Sequence, residues 1–231
     1  MSVVKMENTV KNYKVGKVEV PAIRGINLSI EKGDFAAIAG PSGSGKTTML
    51  NLFGCLDKPT GGKVFIEEHD IITLNPDQLA DVRNEHIGFI FQSFNLIPVL
   101  SAFENVEFPL ILLKKDGPRA RKKKVMDMLA SVGIADLASR KPSEMSGGQQ
   151  QRVAIARALV KNPDYVLADE PTANIDTKTG HEILDLMQAM NRNLGTTFIF
   201  STHDPKVMEH ARRLIHVRDG QIESDVAQAG I

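Results

Sequence analysis

Gly40-Pro-Ser-Gly-Ser-Gly45-Lys46-Thr47 follows a short apolar run, Phe35-Ala-Ala-Ile-Ala39, and runs into a segment with apolar residues at Met49, Leu50, Leu52 and Phe53. A buried strand, a glycine-rich turn and an amphipathic helix are the context a phosphate-binding loop requires. Glycines let the backbone turn tightly, so that successive N–H groups point at one anion. The helix starting near Lys46 adds its positive dipole end. The pattern predicts that Gly40, Pro41, Ser42, Gly43, Ser44, Gly45, Lys46, Thr47 and Thr48 hold a nucleoside triphosphate. Lys46 would bridge the β- and γ-phosphates, and the Thr47 hydroxyl would ligate Mg²⁺. By composition, the four fixed positions coincide by accident in about one chain in a hundred of this length.

Strand and helix character alternates outward from this loop. Val18–Ile30 reads as short strands, broken at Pro21 and Gly25, while Lys63–Glu67 and Ile87–Phe91 read as further strands. From about Ser93 to Lys161 the pattern turns helical, over Ser101–Lys115, Pro118–Val132 and Gln149–Val160. Strands return at Tyr165–Ala168, Thr197–Phe200 and Leu214–Val217, with a helix over Thr177–Asn193. Such alternation predicts an α/β core around a parallel sheet, with the helical stretch as an inserted subdomain.

Composition narrows the function. The 231 residues suit one domain. Lys+Arg and Asp+Glu are equal at 28 each, which argues against nucleic acid as the main partner. The single cysteine, Cys55, cannot form an internal disulfide and reads as a small buried apolar residue. Met1–Lys11 is mixed polar and charged and does not read as a secretory signal. The longest apolar run, Phe108–Leu113, is far below the ~20 residues that span a bilayer. Any membrane partner would therefore be a separate chain.

Tyr165-Val-Leu-Ala168 ends in Asp169-Glu170. Carboxylates at the C-terminal end of a buried parallel strand lie at the ligand edge of an open sheet. Asp169 is placed to hold Mg²⁺ and Glu170 to polarise the attacking water as general base. A second glycine-rich turn, Ser146-Gly147-Gly148-Gln149, precedes another helix. One triphosphate rarely needs two such anion sites in a compact domain, so this one is assigned to a nucleotide held by another subunit; the plain alternative is a turn capped by Ser146. An Asn-Lys-x-Asp guanine-reading element is missing from the sequence.

Ser146-Gly-Gly-Gln-Gln-Gln-Arg-Val-Ala-Ile-Ala-Arg-Ala-Leu159 resembles the signature segment of the ABC ATPase family, and the resemblance covers nearly the whole chain. Gln92 matches the family's Q-loop glutamine, His203 its switch histidine, Ala173-Asn-Ile-Asp176 its D-loop, and Tyr13 its adenine-stacking aromatic. The resemblance implies a single ABC ATPase domain with a P-loop NTPase, RecA-like core at 1–92 and 162–231. It implies an N-terminal antiparallel β subdomain and a helical signature subdomain at about 93–161. Two copies would close head to tail around two ATP, each bound by one copy's P-loop and the other's Ser146–Gln149. Gln92 would contact Mg²⁺ and water, His203 the γ-phosphate, and Asp176 the opposite subunit. Two departures stand out: Met145 where leucine is usual, and Asn174-Ile175 in the D-loop, where Asn174 could bond across subunits or be merely tolerated.

Three function classes share this chemistry: a transporter or membrane-machine subunit, a soluble ATPase of DNA repair or chromosome organisation, and a translation-type ABC protein. The second carries coiled coils or zinc modules and the third two ATPase domains, neither of which this sequence has. Gly40–Asn51, Gly54–Gly61 and Phe89–Pro98 resemble the lipoprotein-release and macrolide-exporter group. That implies integral membrane permease subunits as partners and a peripheral place on the cytoplasmic face of the inner membrane. Phe94-Asn-Leu-Ile-Pro98 is apolar within a loop and is expected to be exposed and to dock a partner helix. His181-Glu182 lacks the second histidine of a zinc-protease motif, and Arg119 with Arg121–Lys124 reads as a solvated basic helix face, or else as a contact for anionic headgroups.

Overall fold

A computed structural model describes residues 1–16 and 18–228. Strand β1 (Ser2–Val15) pairs antiparallel with β2 (Val18–Glu31). The sequence reading has β2 only as short strands and has no strand at β1, because register shifts break their alternation. Val3, Val4, Met6, Thr9 and Lys11 are all buried, a pattern that an unbroken two-residue period cannot give. After the fully buried β3 (Phe35–Ala39) come helix α1 (Lys46–Phe53), β4 (Gly61–Ile66) and the two-residue β5 (His69–Asp70). Strands β2-β1-β4-β5 form an antiparallel sheet.

Next follow α2 (Pro76–His86), β6 (Ile87–Ile90), α3 (Ala102–Leu113), α4 (Pro118–Ser131) and α5 (Gly147–Leu159). The chain continues through β7 (Tyr165–Asp169), α6 (Thr177–Leu194), β8 (Thr197–Thr202), α7 (Pro205–His210), β9 (Arg213–Arg218) and β10 (Gln221–Ala227). The second sheet runs β10-β9-β3-β8-β7-β6, parallel except for the antiparallel β10 edge. The expected class is therefore found: a P-loop α/β core, an antiparallel β layer and a helical insertion.

Both faces of the parallel sheet are covered, so its strands are continuous apolar runs. Phe35, Ala37 and Ala39 of β3 face a cluster with Val106, Leu129, Val153 and Met187 of the helical layer. Ala36 and Ile38 face a second cluster with Ile23, Val64 and Ile66 of the antiparallel sheet and Met49 and Phe53 of α1.

Among the strands and α-helices, β1, β5, α2, α7 and β10 have no counterpart in the sequence reading. Helix α5 also starts two residues before the expected Gln149, because Ser146 is its N-cap. Cys55 is buried, as expected, and Met145 packs into the core in place of a leucine. The basic run on α4 is largely matched by acids: Arg121 pairs with Glu107, Lys123 with Asp127 and Lys124 with Asp116.

Candidate active site

Three strand ends meet at one edge. In β3, β8 and β7, which are neighbours, Ala39 is level with Thr202 and Asp169 with Ser201. The loops leaving those strands carry Gly40–Thr48, His203 and Glu170 respectively. Parallel pairing makes this convergence automatic, since all three chains leave the sheet in the same direction.

The first loop wraps a helix start with no side-chain cap. Gly45 is the N-cap of α1, at φ +111°, a region closed to side chains with a Cβ. The first N–H groups of α1 are thus left for an external acceptor. Gly40 passes so close to β9 that a Cβ there would meet the Val217 carbonyl oxygen at 2.1 Å. Lys46 is buried, and its Nζ donates to the carbonyls of Gly40 at 2.7 Å and Pro41 at 2.9 Å. Ser44 Oγ is buried with no partner among the described residues.

A cavity of about 650 Å³ opens over this loop. Pro41, Ser42, Gly43, Gly45, Lys46, Thr47 and Thr48 form its floor, and Gln92, Asp169, Glu170, His203 and Tyr13 stand around it. Gly40 and Ser44 lie behind the lining. Thr47, Gln92 and Asp169 offer hydroxyl, amide and carboxylate oxygens, a hard donor set that fits Mg²⁺.

Glu170 is held tightly. Its backbone lies at φ +45°, a left-handed conformation that non-glycine residues rarely adopt and that clusters at functional sites. Its N–H donates to the Ser201 carbonyl at 2.9 Å. Its Oε1 accepts from the His203 N–H at 3.1 Å and lies 2.5 Å from His203 Nδ1, while Oε2 accepts from the Thr202 hydroxyl at 3.2 Å. The carboxylate is thus aimed by two consecutive residues of the β8 loop. The His203 side chain remains 75% exposed and the Glu170 side chain only 14%.

Tyr13 lines the cavity on the β1 side. Its hydroxyl donates to Asp57 Oδ2 at 3.1 Å, and Lys11 Nζ bonds Asp57 Oδ1 at 2.5 Å and lies 5.0 Å from the Tyr13 ring centre. Burial pushes the Asp57 carboxyl up, but hydrogen bonds from Lys11, the Lys58 N–H and Tyr13 outweigh it and hold its pKa below the ordinary value. The sequence reading had singled out Tyr13 but neither Lys11 nor Asp57. A buried lysine in a strand facing an aspartate 46 positions away has no local signature.

The remaining candidates lie elsewhere. Ser146, Gly147, Gly148, Gln149 and Asp176 are not part of the cavity lining. Ser146 and Gln149 form a capping box: the Ser146 hydroxyl accepts from the Gln149 N–H at 3.3 Å and Gln149 Oε1 from the Ser146 N–H at 2.9 Å. The cap therefore occupies the turn in which a second anion site is expected. Asp176 caps α6 by accepting from the Thr179 N–H at 3.0 Å, and hydrogen bonds from Thr179 hold its carboxyl below the ordinary range. Asn174 Nδ2 donates to the Gln92 carbonyl at 2.8 Å, so its bond in this chain is internal.

The loop after Gln92 departs from expectation. Phe94 and Leu96 are half-buried, not exposed; Leu96 packs on the core and Phe94 lies beside Gly147. Arg157 of α5 donates to the Phe94 and Asn95 carbonyls, at 2.8 and 2.5 Å. That clamp holds two successive residues in the left-handed region, at φ +58° and +50°. The exposed apolar surface is displaced to a neighbouring groove of about 510 Å³, lined by Leu56, Phe89, Phe91, Phe108 and Leu112 with Lys161. Phe108 is 41% and Leu112 53% exposed.

Comparison with known proteins places this geometry. The family model described as "ABC transporter" matches residues 23–173. A macrolide export ATP-binding/permease protein, MacB, of Syntrophobacter fumaroxidans is 45% identical over all 231 residues, which span 32% of its length. The ABC transporter ATP-binding protein MJ0796 of Methanocaldococcus jannaschii is 46% identical over 225 residues, covering 96% of each chain. A solved dimeric post-hydrolysis structure of the MJ0796 cassette, bound to ADP and Pi, superposes with a TM-score of 0.89 over 99% of this chain and 100% of that one, at 45% identity.

Proposed function

The chain belongs to the ABC transporter family, as an ATP-binding and ATP-hydrolysing subunit, and from that premise we propose a working cycle. The observation that carries it is the convergence of Lys46, Thr47, Gln92, Asp169, Glu170 and His203 on one cavity. Adenine stacks on Tyr13, whose ring is fixed by Asp57 and Lys11. The triphosphate lies along the P-loop, where Lys46 exchanges its two loop carbonyls for phosphate oxygens. Thr47, Asp169 and Gln92 would hold Mg²⁺, which supplies charge neutralisation between the β- and γ-phosphates when bound. Glu170 takes a proton from the attacking water as general base. His203 orients Glu170 through Nδ1 and, being exposed, presents its other ring edge toward the γ-phosphate.

Ser146–Gln149 lies outside the cavity lining. We assign that turn to the nucleotide of a second copy, so the complete site is shared between two chains; the dimeric, ADP- and Pi-bound structure of a relative supports the pairing. A permease in the membrane is the proposed partner. It is proposed to dock in the groove of Leu56, Phe89, Phe91, Phe108 and Leu112, which places this chain peripherally on the cytoplasmic face of the membrane. Likeness to the macrolide export proteins supports work on an extracytoplasmic substrate such as a lipoprotein, peptide or drug.

Glu170→Gln tests both halves of this reading. With ATP and Mg²⁺ it is expected to bind nucleotide, hydrolyse it at least about 10²-fold more slowly, and double its mass by light scattering. Normal turnover would remove Glu170 as the base. Slow turnover with the mass of a single chain would remove the shared site.

A further inference from the structure

Glu170 and the Ser146–Gln149 turn serve different nucleotides in this reading, yet one buried side chain joins them. Gln151, in α5, is fully buried. Its Nε2 donates to the Pro171 carbonyl at 2.8 Å, and its Oε1 has no partner among the described residues. A buried acceptor left unsatisfied destabilises the fold and calls for an explanation. A methionine would fill the same volume and leave no orphaned oxygen. What only the amide does is hold the peptide next to Glu170.

That peptide is a sensitive place to hold. Pro171 and Thr172 are buried, while Glu170 before them sits at φ +45°, so a small movement of the Pro171 carbonyl rotates the glutamate. At the other end, Gln151 stands four residues after Gly147, on the same helix face and one turn away. The first turn of α5 also touches the segment after Pro171: a Cβ on Gly147 would meet the Asn174 carbonyl oxygen at 3.3 Å.

We infer that Gln151 is a positioning residue that couples the two nucleotide sites through a single chain. A nucleotide engaging the Ser146–Gln149 turn shifts α5, Gln151 carries the shift to Pro171, and Glu170 is brought to bear on the chain's own nucleotide. This rests on Glu170 being the base and on the shared site proposed above.

The test compares the parent with Gln151→Met, which removes the donor, and Gln151→Asn, which withdraws it by one methylene. Glu170→Gln runs beside them, and nucleotide affinity, Tm and hydrolysis against ATP concentration are measured for each. In both Gln151 variants kcat is expected to fall by about 10²-fold, the effect of a misplacement of about 1 Å. Affinity and Tm should stay at parental values, and the Hill coefficient of hydrolysis should drop to about 1. A parental kcat and Hill coefficient in either folded variant overturns the inference. So does a fall in kcat that merely tracks lost affinity and Tm in both, which would make Gln151 a packing residue. If Glu170→Gln is inactive while Gln151→Met is normal, only this inference fails; if Glu170→Gln turns over normally, the assignment of the base fails first.

Discussion

At the scale of single residues, the candidate ATP chemistry rests on two short runs that face one cavity. Gly40–Thr48 and Asp169-Glu170 are contiguous, and each does its work in its own local context. What supports them was not legible. Thr202 and His203 aim Glu170 from another strand, and Asp57 anchors Tyr13 from 44 positions away. Such contacts are made by the fold and leave no spacing to read. The Tyr13 assignment has a simple test, because stacking needs the ring and not the hydroxyl. Tyr13→Ser is expected to raise the KM for ATP about tenfold, from a stacking contribution of about 1–3 kcal/mol, with kcat unchanged. Tyr13→Phe keeps the ring and loses only the Asp57 hydrogen bond, so its KM should lie much closer to the parental value than that of Tyr13→Ser. Equal KM values across all three proteins would take Tyr13 out of the site.

At the scale of elements, misses and successes have the same cause. Helix α2 buries only Leu79 and Val82, too few to mark a helical period, although its Asn75-Pro76-x-Gln78 capping box was there to be seen. β10 is exposed along most of its length and so carries no alternation. β1 lost its alternation to bulges. The strands of the parallel core, covered on both faces, were plain in the sequence. One contact between elements has a measurable pH signature. Lys161, just past α5, donates to the Arg83 and Asn84 carbonyls in the last turn of α2. Burial pushes its pKa down to about 8, against about 10.4 in an unfolded chain. Between those values the unfolded state binds more protons, so this group's contribution to stability rises with pH through that window and is flat below it. The stability of the parent relative to Lys161→Met should therefore climb from about pH 8 to pH 10 in chemical denaturation. A difference that stays level would mean the ammonium is not desolvated there.

At the scale of the whole molecule, the fold class followed from alternation of strand and helix, and the family from the order of separated motifs. The place of the apolar surface did not follow. Phe94 and Leu96 looked exposed because loops usually are, but Arg157 draws that loop onto α5. Exposed apolar residues cluster instead on α3 and its surroundings, at Leu56, Phe108, Ile111 and Leu112. The double variant Phe108→Ser, Leu112→Ser is thus expected to keep the basal ATPase rate and change stability by less than about 1 kcal/mol. It should fail to co-purify with the permease and fail to support transport. Full retention of the complex would move the docking site elsewhere.

The separation of the Ser146–Gln149 turn from the cavity bears on how fast the molecule can work. On the shared site proposed above, a free chain has to meet another before either can finish a turnover, so its rate is second order and falls on dilution. A permease with two docking grooves would hold two chains at a high effective concentration and make the same encounter intramolecular. On that view the membrane partner is also a kinetic activator, setting the pace of hydrolysis by proximity alone.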